Sequence, residues 1–159
     1  MSGHDDRGKR MFDVAVSAAG LVLSSPLLAG IAAAVRVDSP GPILFRQTRV
    51  GRGGREFAIH KFRTMHVQAP GEQRVSVTAA GDPRVTRVGR VLRRTKLDEL
   101  PQLWDVLRGQ MSLVGPRPEV PEYVAAWDPD RALVILSVRP GITDPASLAG
   151  LDEASELAS

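Results

Sequence analysis

Val14-Ala15-Val16-Ser17-Ala18-Ala19-Gly20-Leu21-Val22-Leu23-Ser24-Ser25-Pro26-Leu27-Leu28-Ala29-Gly30-Ile31-Ala32-Ala33-Ala34-Val35 is a run of 22 residues without a charge, and it decides what kind of fold the chain can have. At ~1.5 Å per helical residue it is long enough to cross a ~30 Å hydrocarbon core. It exceeds a usual signal-peptide core, and Arg36-Val37-Asp38 follows it in place of a cleavage pattern. Ser24-Ser25-Pro26 interrupts it: Pro26 lacks an N–H and kinks a helix, while a serine hydroxyl can satisfy a carbonyl that the proline frees. Lys9-Arg10 precede the run and Arg36 follows it, so the positive-inside rule does not separate its two ends. Three arrangements fit these residues: a re-entrant helix-break-helix turning at Ser25-Pro26, a kinked spanning helix, and a kinked core helix of a soluble protein.

Around this run the chain has the composition of one small folded domain, with 159 residues, 43% apolar and 25% charged. The absence of cysteine rules out a disulfide framework or a thiolate metal site. His4, His60 and His66 lack the HExxH spacing of a histidine-held catalytic zinc. The net charge of +3 conceals an asymmetry: residues 1–120 hold 19 Lys/Arg against 11 Asp/Glu, and residues 121–159 hold 2 against 7. A basic body with an acidic tail points to an anionic partner such as phosphate, nucleic acid or an anionic membrane surface.

Downstream, Asp38-Ser39-Pro40-Gly41-Pro42 is a turn-rich break, and Ile43 to Val50 and Glu56 to Met65 read as two strands of a hairpin joined at Gly51-Arg52-Gly53-Gly54. The glycine spacing fits neither a Walker loop nor a dinucleotide fingerprint, so turn chemistry explains it. Arg46, Arg49, Lys61 and Arg63 place cations on the two arms. Residues 66–83 read as a flexible connection. Arg84, Arg87, Arg90, Arg93, Arg94 and Lys96 then interleave with Val88, Val91 and Leu92; helical spacing puts Arg87, Arg90 and Arg94 on one side and apolar residues on another.

That basic run enters Thr95-Lys96-Leu97-Asp98-Glu99-Leu100-Pro101-Gln102-Leu103-Trp104. Leu97, Leu100, Trp104 and Leu107 recur at helical spacing, and Pro101 is tolerated only in a first turn, so a helix is expected to start near Leu97 or Asp98. Asp98 and Glu99 at a helix start are favoured as ionised carboxylates, which suits a nucleophile or a metal ligand. Thr95-x-x-Asp98 fits a capping box equally well. Gly109 is expected as a C-cap, Met111 to Val114 as an extended piece, and Pro121 to Ser137 as helix interrupted near Asp128-Pro129. Gly115-Pro116-Arg117-Pro118 fixes an arginine between two prolines, and Arg139 precedes a Pro-Gly turn.

Taken together, Lys9-Arg10…Asp13, Ser25-Pro26, Pro40-Gly41-Pro42, Phe45-Arg46-Gln47-x-Arg49-Val50-Gly51, Lys61-Phe62-Arg63-Thr64-Met65, Leu97-Asp98-Glu99-Leu100-Pro101-Gln102-Leu103, Met111 to Pro118 and Arg139-Pro140-Gly141-Ile142-Thr143 resemble the bacterial sugar transferases, the monotopic phosphoglycosyl transferases. The likeness runs from about Lys9 to Ser147. It implies an α+β, mainly helical fold: a re-entrant membrane helix-break-helix over 1–37, turning at Ser25-Pro26, then a small cytoplasmic globular domain with a β-hairpin over 38–159. It implies transfer of a sugar 1-phosphate from a UDP-sugar to undecaprenyl phosphate, with release of UMP, on the cytoplasmic face of the bacterial inner membrane, as the first membrane step of surface polysaccharide or glycoconjugate synthesis. In that pattern Asp98 is the nucleophile and Glu99 holds Mg²⁺. Arg93 and Arg117 match phosphate binders, and Lys61, Arg63 and Arg139 match further substrate-binding positions. The partners implied are the donor, the lipid acceptor and membrane lipids, with no nucleic acid; a homodimer is allowed.

Three departures accompany the likeness. Asp105 stands where asparagine is common, Gln110 where aspartate is common, and the family usually continues well beyond this point, so the chain is expected to be C-terminally truncated relative to it. From another class, a membrane-tethered binding protein for anionic lipid or nucleic acid also fits the cations, although aromatic residues are only 4% and show no stacking pattern among them. A two-carboxylate glycosidase is disfavoured, because neighbours such as Asp98 and Glu99 do not face each other across a sugar.

Overall fold

The computed structural model describes residues 3–67 and 82–144. Its elements are α1 (Gly3–Asp38), β1 (Leu44–Val50), β2 (Glu56–Phe62), α2 (Arg87–Thr95), α3 (Gln102–Leu107), β3 (Ser112–Val114), α4 (Pro121–Val124), α5 (Pro129–Ile135) and β4 (Gly141–Thr143), with 3₁₀ turns at Arg52–Gly54 and Leu97–Glu99. The class is α+β with helix predominating, as expected. β1 and β2 form the hairpin, and β3 and β4 form a second two-stranded sheet. Most of the connection expected at 66–83 lies outside the described residues.

α1 takes in the whole uncharged run and continues through Ser25 with Pro26 inside it. By length and composition it could cross a membrane, and only 11% of its most apolar window is buried. A core helix of a soluble protein would be mostly covered, so the third arrangement above loses ground. Leu23 is 82% exposed, and Met11, Phe12, Val22 and Leu27 are exposed as well.

Contacts divide the chain into two compact units, the first of residues 1–22, 46–59 and 102–159 and the second of 23–45 and 60–101. Each has its own apolar core. In the first, Phe57, Ile59, Val106 and Met111 are buried together, with Ile142 packed beside them. β3 and β4 run parallel in the register Ser112↔Gly141 and Val114↔Thr143, an association across some thirty residues that no local pattern announces. Asp13, buried in α1, accepts from Ser112 Oγ at 2.8 Å and from the Leu113 N–H at 3.2 Å, and Lys9 Nζ bonds both Asp13 and Ser112 Oγ. A carboxylate in an apolar helix is therefore fully engaged rather than stranded. Arg10 donates to the carbonyls of Val106 at 2.7 Å and Leu107 at 3.0 Å, at the end of α3, where the negative end of the helix dipole favours a cation. Gly109 follows in the left-handed region at φ 81°, the C-cap expected of it.

In the second unit Ile31 and Val35 of α1 are buried with Phe62 and Leu92, and Leu28, Ala32, Ile43, Leu44, Val88 and Leu97 pack around them. Residues four apart on α1 meet residues four apart on α2, as ridge packing requires. α2 begins with Thr86 as N-cap, its hydroxyl accepting from the Gly89 N–H, while Asp38 Oδ2 accepts from the Val88 N–H at 3.0 Å; two of the orphan donors of a helix start are thereby satisfied. α2 ends at Lys96, the one non-glycine residue with positive φ among those described, at 58°. The helix expected from Leu97 or Asp98 onward is divided. Leu97–Glu99 is a 3₁₀ turn, and α3 starts only at Gln102. Pro101 accounts for this, because it has no N–H to continue the hydrogen-bond ladder of the preceding turn and starts a new helix better than it continues one. The capping box is also absent: the Thr95 hydroxyl donates back to the Val91 and Leu92 carbonyls, making it the last turn of α2.

Candidate active site

The second unit brings together four of the residues singled out in the sequence: Asp98, Glu99, Lys61 and Arg93. Lys61 comes from the end of β2, Arg93 from the last turn of α2 and the two acids from the 3₁₀ turn, all held by the core beneath them. Lys61 Nζ donates to Glu99 Oε1 at 2.6 Å, with both side chains largely covered. Asp98 is 9% exposed. Burial pushes its carboxyl above the ordinary carboxylate value and the neighbouring charge of Glu99 adds to this, while Lys61 and Arg93 pull it back. The backbone N–H of Asp98 itself also favours the ionised carboxylate, and among the described residues no side chain donates a hydrogen bond to it. A buried carboxylate whose pKa is raised by its surroundings and which lies near two cations is a candidate functional group.

Arg93 donates through Nε to Thr64 Oγ1 at 2.8 Å. Among the described residues its terminal nitrogens have no hydrogen-bond partner, leaving the planar fork that matches two phosphate oxygens. Farther round α2, Arg87, Arg90, Val91 and Arg94 are exposed on the face opposite Val88 and Leu92, the segregation expected from their spacing.

Arg63 has a different job from the one its motif suggested. It is 5% exposed and donates to the carbonyls of Pro40 at 2.6 Å and Ser39 at 2.7 Å, with a longer bond to Val35. Two of these carbonyls directly follow α1 and the third lies in its last turn, so presenting this guanidinium to a substrate would release the end of the helix. Arg63 stands just past the end of β2, where its N–H donates to the Ile43 carbonyl at 2.9 Å and fixes it close to the residues that follow α1.

Arg117 and Arg139 are carried by the other unit. Three bonds brace the arginine loop: Arg49 Nη1 donates to the Pro118 carbonyl at 3.0 Å, the Val50 N–H to Glu119 at 2.9 Å and the Gly141 N–H to Pro116 at 2.9 Å. Burial lowers the pKa of Arg49; Glu119 opposes this and the charge of Arg117 adds to it. Arg139 Nε donates to the Gly109 carbonyl at 3.1 Å, close after the end of α3, so at least that nitrogen is structural. Pattern reading overlooked Thr64 and Asp38, which orient α2 and its arginine. Thr86 could have been found, standing as it does just before a periodic run.

A divalent metal fits the chemistry of the acidic pair. Among the described residues no three metal-ligating side chains are grouped, but Mg²⁺ commonly takes one or two carboxylates together with substrate phosphates and water. Glu99, already holding a cation at its carboxylate, has the charge and placement for that role, with Lys61 as the group that would be displaced or shared.

The model of the bacterial sugar transferase family matches residues 4–158. Among curated relatives, UDP-glucose:undecaprenyl-phosphate glucose-1-phosphate transferase of Caulobacter vibrioides is 49% identical over 154 residues, covering 95% of this chain and 57% of that protein. UDP-N-acetylgalactosamine-undecaprenyl-phosphate N-acetylgalactosaminephosphotransferase of Aeromonas hydrophila is 43% identical over 137 residues, covering 85% and 32%. The exopolysaccharide production protein PSS of Rhizobium leguminosarum bv. phaseoli is 40% identical over 157 residues, covering 90% and 74%. The chain thus spans little more than half of the first of these relatives and about a third of the second.

Proposed function

This chain belongs to the bacterial sugar transferase family, and from that premise we propose that it moves a sugar 1-phosphate from a UDP-sugar to undecaprenyl phosphate through a covalent aspartyl-phosphosugar intermediate, releasing UMP. The names of the relatives support the donor and acceptor classes. The observation that carries the chemistry is the Asp98 carboxylate, buried and without a side-chain donor among the described residues, near Lys61 and an arginine whose terminal nitrogens are unpaired among those residues.

A carboxylate oxygen of Asp98 attacks the sugar-bearing phosphorus. The bond from that phosphorus to the bridging oxygen breaks, and its electron pair leaves with UMP. An oxygen of undecaprenyl phosphate then attacks the same phosphorus, the bond to Asp98 breaks, and the carboxylate is restored without any net proton transfer. Arg93 binds phosphoryl oxygens throughout, and Lys61 offsets the repulsion between the acidic pair and an incoming diphosphate; Arg117 is assigned phosphate binding on its motif alone. Mg²⁺ held by Glu99 would neutralise charge on the diphosphate and on the departing nucleotide.

We place this reaction on the cytoplasmic face of the bacterial inner membrane, with 1–37 as a re-entrant hairpin and 38–159 as the catalytic domain, at the first membrane step of surface glycan synthesis. The exposed apolar length of α1 supports membrane association, and Pro26 with its serine neighbours supports the turn. Replacing Ser25 and Pro26 by leucine is expected to convert re-entry to spanning, read as an N-terminal cysteine becoming labelled from outside the cell. An N-terminus already outside in the unmodified protein would refute re-entry.

The direct test incubates membranes holding this chain with a panel of UDP-sugars, Mg²⁺ and undecaprenyl phosphate. UMP release is expected with one or a few donors, and its absence with every donor would overturn the assignment. The exposed arginine face of α2 favours a second reading, a membrane-tethered binder of anionic lipid; such binding would weaken with salt and need no Mg²⁺.

A further inference from the structure

We infer that Thr64 is a positioning residue for donor binding: its hydroxyl takes the Nε–H of Arg93 and thereby aims the open guanidinium fork at the phosphate bound beside Asp98. The inference rests on the function proposed above, and adds a residue that neither charge nor motif chemistry singles out. Thr64 is 7% exposed, and the backbone around it is held on both sides. Its carbonyl accepts from the Thr86 N–H at 3.0 Å, and Arg63 just before it is anchored to the carbonyls that end α1. Met65 just after it bridges to Val85.

The helix carrying Arg93 is fixed against the same residue. Gly89 lies one turn before Arg93 on α2, and a Cβ there would overlap the Thr64 carbonyl. Backbone approach at Gly89 and the bond from Arg93 Nε to Thr64 Oγ1 at 2.8 Å are therefore two contacts from one helix face to one residue. A buried β-branched side chain has little freedom at χ1, so the oxygen is a fixed point rather than a passing acceptor. An arginine held at Nε keeps both terminal amino groups in a known plane, which lowers the entropy lost when a phosphate takes them.

The test is a double-mutant cycle on the full chain in detergent or membranes. Thr64→Val keeps shape and removes the acceptor; it is expected to raise the KM for the UDP-sugar about tenfold, while Thr64→Ser stays near the unmodified enzyme. Thr64→Ala carries the same expectation as valine should the valine variant fail to fold. With Arg93 already changed to Ala, removing the Thr64 hydroxyl is expected to add nothing, because the two residues act as one unit. In the Asp98→Asn background, binding of UDP with Mg²⁺ should weaken by the same factor, with no turnover involved. Equal losses from Thr64→Val with and without Arg93 would mean that Thr64 acts only through the fold and would overturn the inference. An unaffected Thr64→Val enzyme alongside a crippled Arg93→Ala enzyme would also overturn it, leaving the site assignment standing. An unaffected Arg93→Ala enzyme would overturn both.

Discussion

Asp98→Asn is expected to abolish sugar-phosphate transfer, by at least about a thousandfold as measured by UMP release, and at the same time to raise the thermal midpoint of the protein at neutral pH. The two effects have one cause. Burial and the charge of Glu99 hold the Asp98 carboxyl above its ordinary value despite Lys61 and Arg93, so the folded state resists the ionised form that the reaction needs. Because the folded pKa exceeds the unfolded one, Asp98 costs nothing below the ordinary aspartate range, where both states are protonated. The cost appears as pH rises through the raised folded value and is complete above it. Asparagine, neutral and nearly isosteric, escapes it. The midpoints of the two proteins should therefore converge in acid and separate toward neutrality, with the variant higher. For the unmodified enzyme, kcat/KM should fall on an acid limb lying above the ordinary aspartate range. Activity retained by Asp98→Asn would sink the covalent mechanism, and a midpoint lowered at neutral pH would sink the electrostatic account.

Gly89→Ala should be the most damaging single methyl in the second unit. The added Cβ has no side chain to push aside, since the Thr64 backbone occupies its place, and α2 must separate from the strand end to admit it. Overpacking against side chains costs about 1–3 kcal/mol; against backbone, which cannot rotate away, we expect about 3 kcal/mol or more. Arg93 would move with the helix, so UMP release should fall even at temperatures where the variant remains folded. Gly8, with nothing near its Cβ position, provides the contrast: Gly8→Ala should be neutral or slightly stabilising through helix propensity. Thermal unfolding of both variants decides the matter, and an unchanged midpoint for Gly89→Ala would be incompatible with the packing described.

Local pattern made much of this fold legible. The hairpin, the two-sided α2, the glycine C-cap at Gly109 and the interruption at Asp128-Pro129 are each set by residues within a few positions of one another. The parallel pairing of β3 with β4 was not legible, because it joins Ser112 to Gly141 through contacts that only the folded chain creates. The site divides in the same way. Asp98 and Glu99 were visible as adjacent acids, yet the difference between Arg63 and Arg93 was not. Both are arginines within basic motifs, and what separates them is burial: Arg63 faces helix-end carbonyls, whereas Arg93 keeps its terminal nitrogens unpaired among the described residues. Charge in a sequence marks where a cation is, and only packing tells whether water, backbone or ligand will meet it. Thr64 was overlooked for a related reason, since a hydroxyl that accepts a single bond leaves no compositional trace.

Because the two cores are built from interleaved stretches of chain, they do not become available together as the polypeptide is made. Every residue of the core around Ile31, Val35, Phe62 and Leu92 has left the ribosome once Pro101 has emerged. The core around Phe57 and Ile59 must still wait for Val106 and Met111, and for Ile142 at its edge. During that interval of synthesis the half of the protein bearing Asp98 has its full complement of partners, while Phe57 and Ile59 have none of theirs from downstream. Vectorial emergence thus gives the nucleophile's unit the first opportunity to fold, and neither unit can be cut out of the gene as one uninterrupted segment.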